Sequence, residues 1–450
     1  MIPTICLQRI TDAAFDNGKL HAWCAFSDIN APNTPPIGEF HQRGLPITCP
    51  LPAKAGTQFL YPTGTTTKIG PLPTQGKEFL RFSEAPQNNL PLQNLTVGVK
   101  DIIDVAGLPT RCGSAIYENV PPVVVDAACV ALMRSAGAVI VGKTVTTELA
   151  TFVPAATRNP VNPAHTPGGS SAGSASAVAA GHVDIAIGTQ TAGSILRPAA
   201  YCGVFGFKPS FGVVPRTGVK VQSEALDTVG VFARNIELCE AWLAAMTGEP
   251  LAKMHAAPRK LRIACVTTLM EHATADMQAA ITRAKHALAA AGHEVLDWAL
   301  PEALATIHDQ QKIIQHHEAA RAYHAERSQH RALLTPMLAN VLDEGAAIPR
   351  STYLQAIHRA EQARSLADGL FENWDVWLMP AAPGSAPHGL SSTGDPIFNR
   401  LASVLHTPAI SVPVFSDKGG MPLGLQLVGG RGGDVALLGN TQTISKVLIA

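Results

Sequence analysis

Short apolar runs alternate with longer helix-like stretches over most of the chain. The runs are rich in valine and isoleucine, a pattern typical of buried β-strands. Eight of them are predicted as strands: residues 97–99, 138–141, 183–187, 229–233, Arg262–Val266, 376–379, 409–412 and 423–428. Helical segments rich in alanine and leucine lie between several of these runs. The alternation predicts an α/β fold, in which helices cover both faces of a layered, largely parallel or mixed β-sheet.

Residues from about 269 to 370 depart from this alternation. They form long, polar stretches rich in Ala, Glu, Arg and His, and residues 274–291 and 353–371 are examples of the helices they predict. We interpret this segment as a helical cap. Segments that lie over a rigid scaffold commonly carry specificity, so we expect the cap to determine which ligand is accepted.

Residues 1–95 are rich in proline and turn residues, most clearly at 31–36 and 71–75. The pattern assigns this N-terminal region no role. Packing against a neighbouring subunit is one hypothesis for it.

The composition is that of a globular enzyme. Of 450 residues, 46% are hydrophobic and 15% are charged, and the formal net charge is zero. A chain without a basic excess does not attract nucleic acid nonspecifically. The sequence also lacks the run of roughly 18 apolar residues that a membrane-spanning helix needs. We therefore expect neither a nucleic-acid partner nor a membrane partner.

The cysteines and the first residues bear on the compartment. Eight cysteines are scattered without paired spacing, so we expect reduced thiols and not a disulfide framework or a zinc site. Residues 1–10 lack the basic start, the apolar segment and the cleavage site of a secretory signal. These observations predict a cytoplasmic protein.

Two turns rich in glycine and serine, at residues 166–181 and 188–198, are the strongest candidates for chemistry. Each opens into a helical run of small residues. Glycine destabilises the interior of a helix or strand by roughly 0.5–1 kcal/mol relative to alanine. We therefore interpret these glycine-rich turns as backbone held close to a ligand. A third segment, residues 96–109, predicts a short apolar strand that ends at Lys100.

In this order, the Lys100 segment, the Gly168-Gly169-Ser170-Ser171 turn and the Gly193-Ser194 turn resemble the amidase signature family of Ser-cisSer-Lys amide hydrolases. The spacing of 24 positions between Ser170 and Ser194 also fits. The similarity runs from about residue 95 to about 235 and resumes at 374–381, 406–414 and 422–429. The resemblance implies one large domain over residues 96–450 with the same layered α/β fold.

The resemblance also implies a role for each motif. Ser194 would attack the amide carbon, and Ser170 would pass the Ser194 proton to Lys100 and later to the leaving amine. A serine hydroxyl needs a base, and a lysine serves as one if it is neutral. Burial among apolar neighbours would lower the pKa of Lys100 accordingly. The family pattern further implies a cis peptide bond between Gly169 and Ser170.

The turn that precedes the predicted helix at Ser194 offers an oxyanion hole. The backbone N–H groups of Thr191, Ala192, Gly193 and Ser194 would stabilise the negative charge of a tetrahedral intermediate. The small side chains of the turn allow a substrate to approach closely.

Three residues are candidates for substrate binding. Arg197 lies one helical turn after Ser194, so it would either pair with a carboxylate on the substrate or hold the loop. Gln190 stands where many family members carry aspartate, and many carry their arginine two residues after the nucleophile, so the substrate pocket departs from the family pattern. Ser171 would bond backbone groups, orient Lys100 or cap the following helix.

Two motif matches are interpreted as structural segments and not as binding sites. Residues 137–144 satisfy the spacing of a phosphate-binding P-loop, but residues 138–141 read as a buried strand, which a phosphate cradle cannot be. His316, His317, His324 and His330 lack the i, i+4 histidine pair of a helical zinc site. We predict no metal and no cofactor.

The sequence therefore predicts an amidohydrolase that cleaves a small linear amide to a carboxylate and ammonia or an amine, and a second carboxylate on that amide is one hypothesis for the substrate. The main alternative is the amidase (glutaminase) subunit of a tRNA-dependent amidotransferase, and another is a non-catalytic binding protein on the same scaffold. The expected partners are a small-molecule amide and further copies of the chain, as a homodimer.

Overall fold

The structure is a computed structural model that describes residues 23–26, 90–250 and 259–449. Except for Leu90, these residues belong to one compact unit. The predicted turn-rich segments at 31–36 and 71–75 lie outside the described residues, as does most of the N-terminal region 1–95.

One mixed β-sheet of eleven strands runs through the described part of the chain, in the order β1-β3-β2-β4-β6-β5-β10-β11-β9-β7-β8. The strands are β1 (Trp23–Phe26), β2 (Thr96–Lys100), β3 (Val139–Thr144), β4 (Ile185–Gln190), β5 (Phe205–Lys208), β6 (Thr228–Ala233), β7 (Arg262–Val266), β8 (Glu294–Trp298), β9 (Val376–Pro380), β10 (Ala409–Ser416) and β11 (Pro422–Val428). All eight predicted strands are confirmed.

Twelve α-helices lie among the described residues. They are α1 (Ala128–Ser135), α2 (Ala172–Ala179), α3 (Leu196–Cys202), α4 (Ile236–Thr247), α5 (Ala275–Ala290), α6 (Glu302–Ala305), α7 (Ile307–Ala322), α8 (His324–Gln329), α9 (Pro336–Ala347), α10 (Arg350–Leu370), α11 (Arg400–Val404) and α12 (Asp434–Ile449). The helix predicted at 274–291 begins where Thr274 accepts a hydrogen bond from the Met277 N–H, which is a typical N-cap.

The helices cover both faces of the sheet, as predicted. Along β7, Ile263 and Cys265 join a core that also contains residues of α1, α4, α5 and α12. The alternate residues Ala264 and Val266 join a second core built with α7, α10 and α11. Because successive side chains of a strand point to opposite faces, this division places a helical layer on each side of β7.

The predicted cap at 269–370 differs from the structure at two elements. Strand β8 lies inside this segment and pairs in parallel with β7 at the end of the sheet. Most of its side chains are exposed, so it lacks the buried apolar run on which the prediction relied. Helix α5 packs against β8 and β9 and therefore belongs to a sheet layer. The remaining helices of the segment gather around α7, which packs against α9, α10 and α11.

The directions of the central strands bring the predicted site together at one edge. Strand β2 pairs in parallel with both β3 and β4, so the carboxyl ends of all three strands lie at the same edge. Lys100 is the last residue of β2 and Gln190 is the last of β4. Strand β6 runs antiparallel to β4, with Thr228 opposite Gln190, so the loop before β6 reaches this edge as well.

No helix among the described residues is long and apolar enough to cross a membrane.

Candidate active site

Lys100 is fully buried at the end of β2, in contact with two hydroxyl groups. Its Nζ lies 2.7 Å from Ser170 Oγ and 2.9 Å from Thr189 Oγ1. Burial lowers the pKa of Lys100 to about 7, although the negative charge of Asp227 acts in the opposite direction. A neutral amine has a free lone pair, so it can accept the proton of Ser170. The contact is therefore suited to proton transfer near neutral pH.

Ser170 follows the predicted cis peptide bond with Gly169, which is present. Its carbonyl oxygen accepts hydrogen bonds from the Thr147 N–H at 3.1 Å and from Thr146 Oγ1 at 3.3 Å. A Cβ at Gly169 would lie 2.8 Å from the Thr393 side chain and 3.0 Å from that of Thr147. A larger residue would require the Thr393 side chain to shift, so the glycine-rich turn reflects close packing around Ser170.

Ser194 lies in the turn that joins β4 to α3. It is half-buried, whereas Thr191, Ala192 and Gly193 are buried. None of the four backbone N–H groups from Thr191 to Ser194 donates a hydrogen bond within the described residues. Buried backbone donors are nearly always paired, so a row of free N–H groups beside an accessible serine fits an oxyanion hole.

Long-range contacts hold this turn. Thr191 Oγ1 donates to Asp227 Oδ1 at 2.5 Å, and Gln311 Nε2 on α7 donates to the Thr191 carbonyl at 3.1 Å. Ser403 Oγ on α11 donates to the Ala192 carbonyl at 2.8 Å. Three distant segments thus hold the turn through two of its carbonyls and one side-chain hydroxyl, which leaves its N–H groups free.

Arg197 bridges the two serine turns. Its Nη2 donates to the Gly169 carbonyl at 2.8 Å and to Thr393 Oγ1 at 3.3 Å, and its backbone N–H donates to the Gly193 carbonyl at 3.0 Å. The side chain is buried, which lowers the pKa of Arg197 to about 10 and leaves it charged at neutral pH. Of its two predicted roles, these contacts favour holding the loop.

The Gln190 side chain also forms hydrogen bonds within the protein. Its Oε1 accepts the N–H groups of Ile195 at 3.0 Å and Leu196 at 3.1 Å, and its Nε2 donates to Ser403 Oγ at 3.0 Å. The side chain is fully buried. These contacts favour a structural role at the start of α3 over contact with a substrate.

Ser171 supports the lysine site indirectly. Although it stands at the N-terminal cap of α2, its side chain makes no capping hydrogen bond. Its Oγ donates to the Thr189 carbonyl at 3.3 Å and accepts the Thr189 N–H at 3.4 Å. Ser171 therefore positions Thr189, whose hydroxyl contacts Lys100.

Thr189, Asp227 and Ser403 were not identified as site residues from the sequence. Thr189 lies within the 188–198 motif, and its position at the end of a strand could have marked it. Asp227 and Ser403 are 33 and 209 positions from Ser194, and no local pattern connects them to it. The sheet topology brings Asp227 to this edge, and the packing of α11 brings Ser403 there.

The P-loop-like segment is the strand β3, as predicted. Lys143 is buried and its Nζ lies 2.9 Å from Asp101 Oδ1 in an ion pair. The same nitrogen donates to Thr110 Oγ1 at 3.0 Å. An ammonium group held this way is not free to contact a phosphate, so Lys143 supports the segment next to Lys100.

We expect Lys143→Met to lower the free energy of unfolding by about 3–5 kcal/mol, because it leaves the Asp101 carboxylate buried without its partner. Urea denaturation followed by circular dichroism measures this. Lys446→Met, at an exposed lysine of α12, is the matched control and should change stability little. Equal losses in the two variants would contradict a structural role for Lys143.

The histidines of the cap make protein contacts. Arg321 Nε donates to His317 Nε2 at 2.9 Å, and the His317 ring stacks on Tyr353 with ring centroids 4.3 Å apart. No group of three or more His, Cys, Asp or Glu that could hold a metal ion lies in the described ranges.

A cavity of about 520 Å³ lies beside the cap. Residues of α7, of the start of α10 and of the loop 221–224 line it, among them Gln222, His317 and Arg350. Lys100, Ser170 and Ser194 do not line it. The half-buried Ser194, and not this cavity, marks the candidate site.

Comparisons with known proteins show which proteins this chain is similar to. The profile of the family described as Amidase matches residues 79–438. A glutamyl-tRNA(Gln) amidotransferase subunit of Synechococcus sp. (strain RCC307) is 33% identical over 396 residues, which cover 76% of this chain and 81% of that protein. The structure of the subunit with the same name from Thermotoga maritima has a TM-score of 0.70 and 26% identity, covering 79% of this chain and 83% of that one. The native peptide amidase from Stenotrophomonas maltophilia has a TM-score of 0.67 and 27% identity, covering 80% and 84%.

Proposed function

This chain belongs to the amidase family of enzymes that cleave amide C–N bonds, and we propose that it hydrolyses a small linear amide to a carboxylate and ammonia through an acyl-Ser194 intermediate. The observation that carries the proposal is the 2.7 Å contact between Lys100 Nζ and Ser170 Oγ, where burial lowers the lysine pKa to about 7. This is the arrangement that a serine hydrolase without a catalytic histidine needs.

The proposed acylation has two steps, the addition of Ser194 to the amide carbon and the loss of the leaving nitrogen. Ser194 Oγ bonds to the carbonyl carbon while its proton passes to Ser170 Oγ and the Ser170 proton passes to Lys100 Nζ. The carbonyl oxygen becomes an oxyanion, which the free N–H groups of Thr191 to Ser194 stabilise. The C–N bond then breaks as the proton returns through Ser170 to the leaving nitrogen.

Deacylation repeats the path with water in place of serine. Water attacks the ester carbon and its proton passes through Ser170 to Lys100. The same N–H groups stabilise the second tetrahedral intermediate. The bond between the acyl carbon and Ser194 Oγ breaks as the proton returns to this oxygen, and the acid product loses its remaining proton to water. The enzyme is then restored, and these steps require no metal or cofactor.

A second candidate is the glutaminase subunit of a tRNA-dependent amidotransferase. Curated relatives that are 30–33% identical carry the name of such an amidotransferase, and the matched segments cover 79–88% of their lengths. In that role the same residues would free ammonia from glutamine for a partner protein. A cytoplasmic location fits either candidate, whereas assembly as a homodimer belongs to the first.

Ammonia release by the purified chain tests the proposal. The substrates are neutral short-chain amides, monoamides of dicarboxylic acids, and glutamine, each assayed with and without added amidotransferase partner subunits and ATP. We expect the isolated chain to release ammonia from small amides at a rate that the added subunits do not change. Release from glutamine that appears only with the partner subunits would support the second candidate instead. No release from any amide under either condition would contradict both.

A further inference from the structure

Arg400 carries a charge that the described protein does not neutralise. It is the first residue of α11 and is half-buried. Its side chain forms no hydrogen bond or ion pair with any described residue, and its Nε is buried without a partner. Buried donors on charged groups are rarely left unpaired, because the lost hydration is costly. An unpaired guanidinium of this kind indicates an acceptor that comes from outside the chain.

Helix α11 contacts the turn that contains Ser194. Ser403 Oγ holds the Ala192 carbonyl at 2.8 Å, and a Cβ at Gly193 would lie 2.5 Å from Asn399 Oδ1. Arg400 follows Asn399 directly, and its backbone N–H donates to the Pro396 carbonyl at 3.2 Å. Arg400 is therefore adjacent in sequence to a residue that packs against the turn containing Ser194.

The charge of Arg400 is close enough to act on residues of α3 and α7. Its positive charge helps to lower the pKa of Arg197 on α3 and of His316 on α7, in both cases after the larger effect of burial. The His316 ring in turn contacts the Phe152 ring edge-on, with centroids 6.0 Å apart. Phe152 follows Thr151, whose carbonyl accepts a hydrogen bond from Thr147, the residue that holds Ser170. Arg400 is thus near Arg197, which bonds to both serine turns, and near His316 of the cap.

Burial lowers the pKa of Arg400, and the charges of two carboxylates oppose this shift although neither pairs with Arg400. Asp395 and Asp309 are both exposed, and within the described ranges no ion pair joins either of them to Arg400. Asp309 lies instead 3.6 Å from His308 and 3.9 Å from Lys312. Exposed acids at longer range are screened by water and leave the guanidinium able to bind an anion.

Arg197, the residue predicted from the sequence for this role, is less available. Its Nε is also buried without a partner, but its Nη2 donates to the Gly169 carbonyl and to Thr393 Oγ1. A substitution at Arg197 would also disturb the turn that carries Ser170. Arg400 has no such contact, so it can bind a ligand without releasing the catalytic turn.

We propose that Arg400 binds the carboxylate of a substrate that carries both a carboxylate and the scissile amide, so that the enzyme selects short carboxylate-bearing amides. The inference rests on the proposed hydrolysis at Ser194. A guanidinium offers two parallel N–H donors to a carboxylate, and this geometry fixes the orientation of the substrate as well as its affinity.

The test compares two substrates of similar shape. One is the monoamide of a short dicarboxylic acid, and the other is the amide in which a methyl group replaces the carboxylate. We expect Arg400→Gln to raise KM for the anionic amide about 10- to 100-fold while kcat changes little, since a hydrogen bond to a charged group is lost. The kinetic constants of the neutral amide should stay the same. Arg400→Lys should keep part of the preference, and Arg359→Gln, at an exposed arginine of α10, should keep all of it.

Two further measurements distinguish a loss of anion binding from a loss of folding. The melting temperature of each variant reports folding, and competitive inhibition of the wild-type enzyme by the free dicarboxylate reports anion binding without any variant. Inhibition that weakens in Arg400→Lys supports the inference. An unchanged ratio of anionic to neutral kcat/KM in Arg400→Gln overturns the inference alone, because hydrolysis persists. If the wild-type chain hydrolyses neither amide, the proposed function fails and the inference fails with it.

Discussion

Replacing Ser194 with alanine should reduce amide hydrolysis by about 10⁴-fold or more, to the level that substrate binding and the oxyanion hole can sustain alone. Ser194 is the half-buried residue of its turn, and the four N–H groups beside it have no partner in the described chain. Alanine keeps the turn but removes the atom that would bond to the acyl carbon. The variant should therefore still bind substrate, with KM close to that of the wild type.

Two measurements check this result. Ammonia release gives the rate, and intact-protein mass spectrometry after mixing with substrate or an acyl-serine reagent gives the mass of the acyl adduct. Ser365→Ala, at an exposed serine of α10, is the control and should acylate normally. An adduct of the same mass on Ser194→Ala would place the nucleophile elsewhere and contradict the proposed mechanism.

Much of the candidate site could be predicted from the sequence because its residues are concentrated in three short motifs. Lys100, Ser170 and Ser194 each follow a recognisable strand or turn, and the structure places Lys100 Nζ and Ser170 Oγ 2.7 Å apart although they are 70 positions apart in the chain. Parallel pairing of β2 with β3 and β4 explains this, because it brings their carboxyl ends to one edge. The apolar patterns that predict these strands therefore also indicate which residues follow their carboxyl ends.

The supporting contacts could not be predicted in the same way. Gln311, Ser403 and Asp227 hold the Ser194 turn by single hydrogen bonds from segments far along the chain. Each looks like an ordinary polar residue of a helix or loop in the sequence. Their roles depend on how α7 and α11 pack across the sheet edge, and that packing is set by apolar residues elsewhere on those helices.

The roles of Arg197 and Gln190 show a related limit. Their positions near the nucleophile suggested substrate contact, yet both side chains turn inward and bond to the protein. Spacing from a catalytic residue determines which turn of a helix a side chain occupies, but not whether the loops around it leave room for a ligand. Strand β8 was missed for the converse reason, since an exposed end strand lacks the buried apolar run of a central one.

The second large effect concerns the base. Lys100→Ala should lower kcat/KM by roughly 10³- to 10⁶-fold, since Ser170 then has no acceptor for its proton. Lys100→Arg should be nearly as inactive, because a guanidinium can donate to Ser170 and Thr189 but stays protonated at any pH the enzyme tolerates. The comparison separates the loss of a base from the loss of a positive charge. Appreciable activity in Lys100→Arg would contradict the role of Lys100 as a base.

The pH dependence of kcat/KM gives a sharper test of the same residue. A base must be neutral to accept a proton, so activity should rise with pH through the Lys100 pKa of about 7 and fall away below it. The negative charge of Asp227 raises this pKa, so Asp227→Asn should move the midpoint to lower pH, whatever it does to the maximal rate. Lys446→Ala, far from these charges, should leave the midpoint unchanged. A midpoint that does not move in Asp227→Asn would mean that the titrating group is not Lys100, because Asp227 is the charged residue that acts most strongly on it.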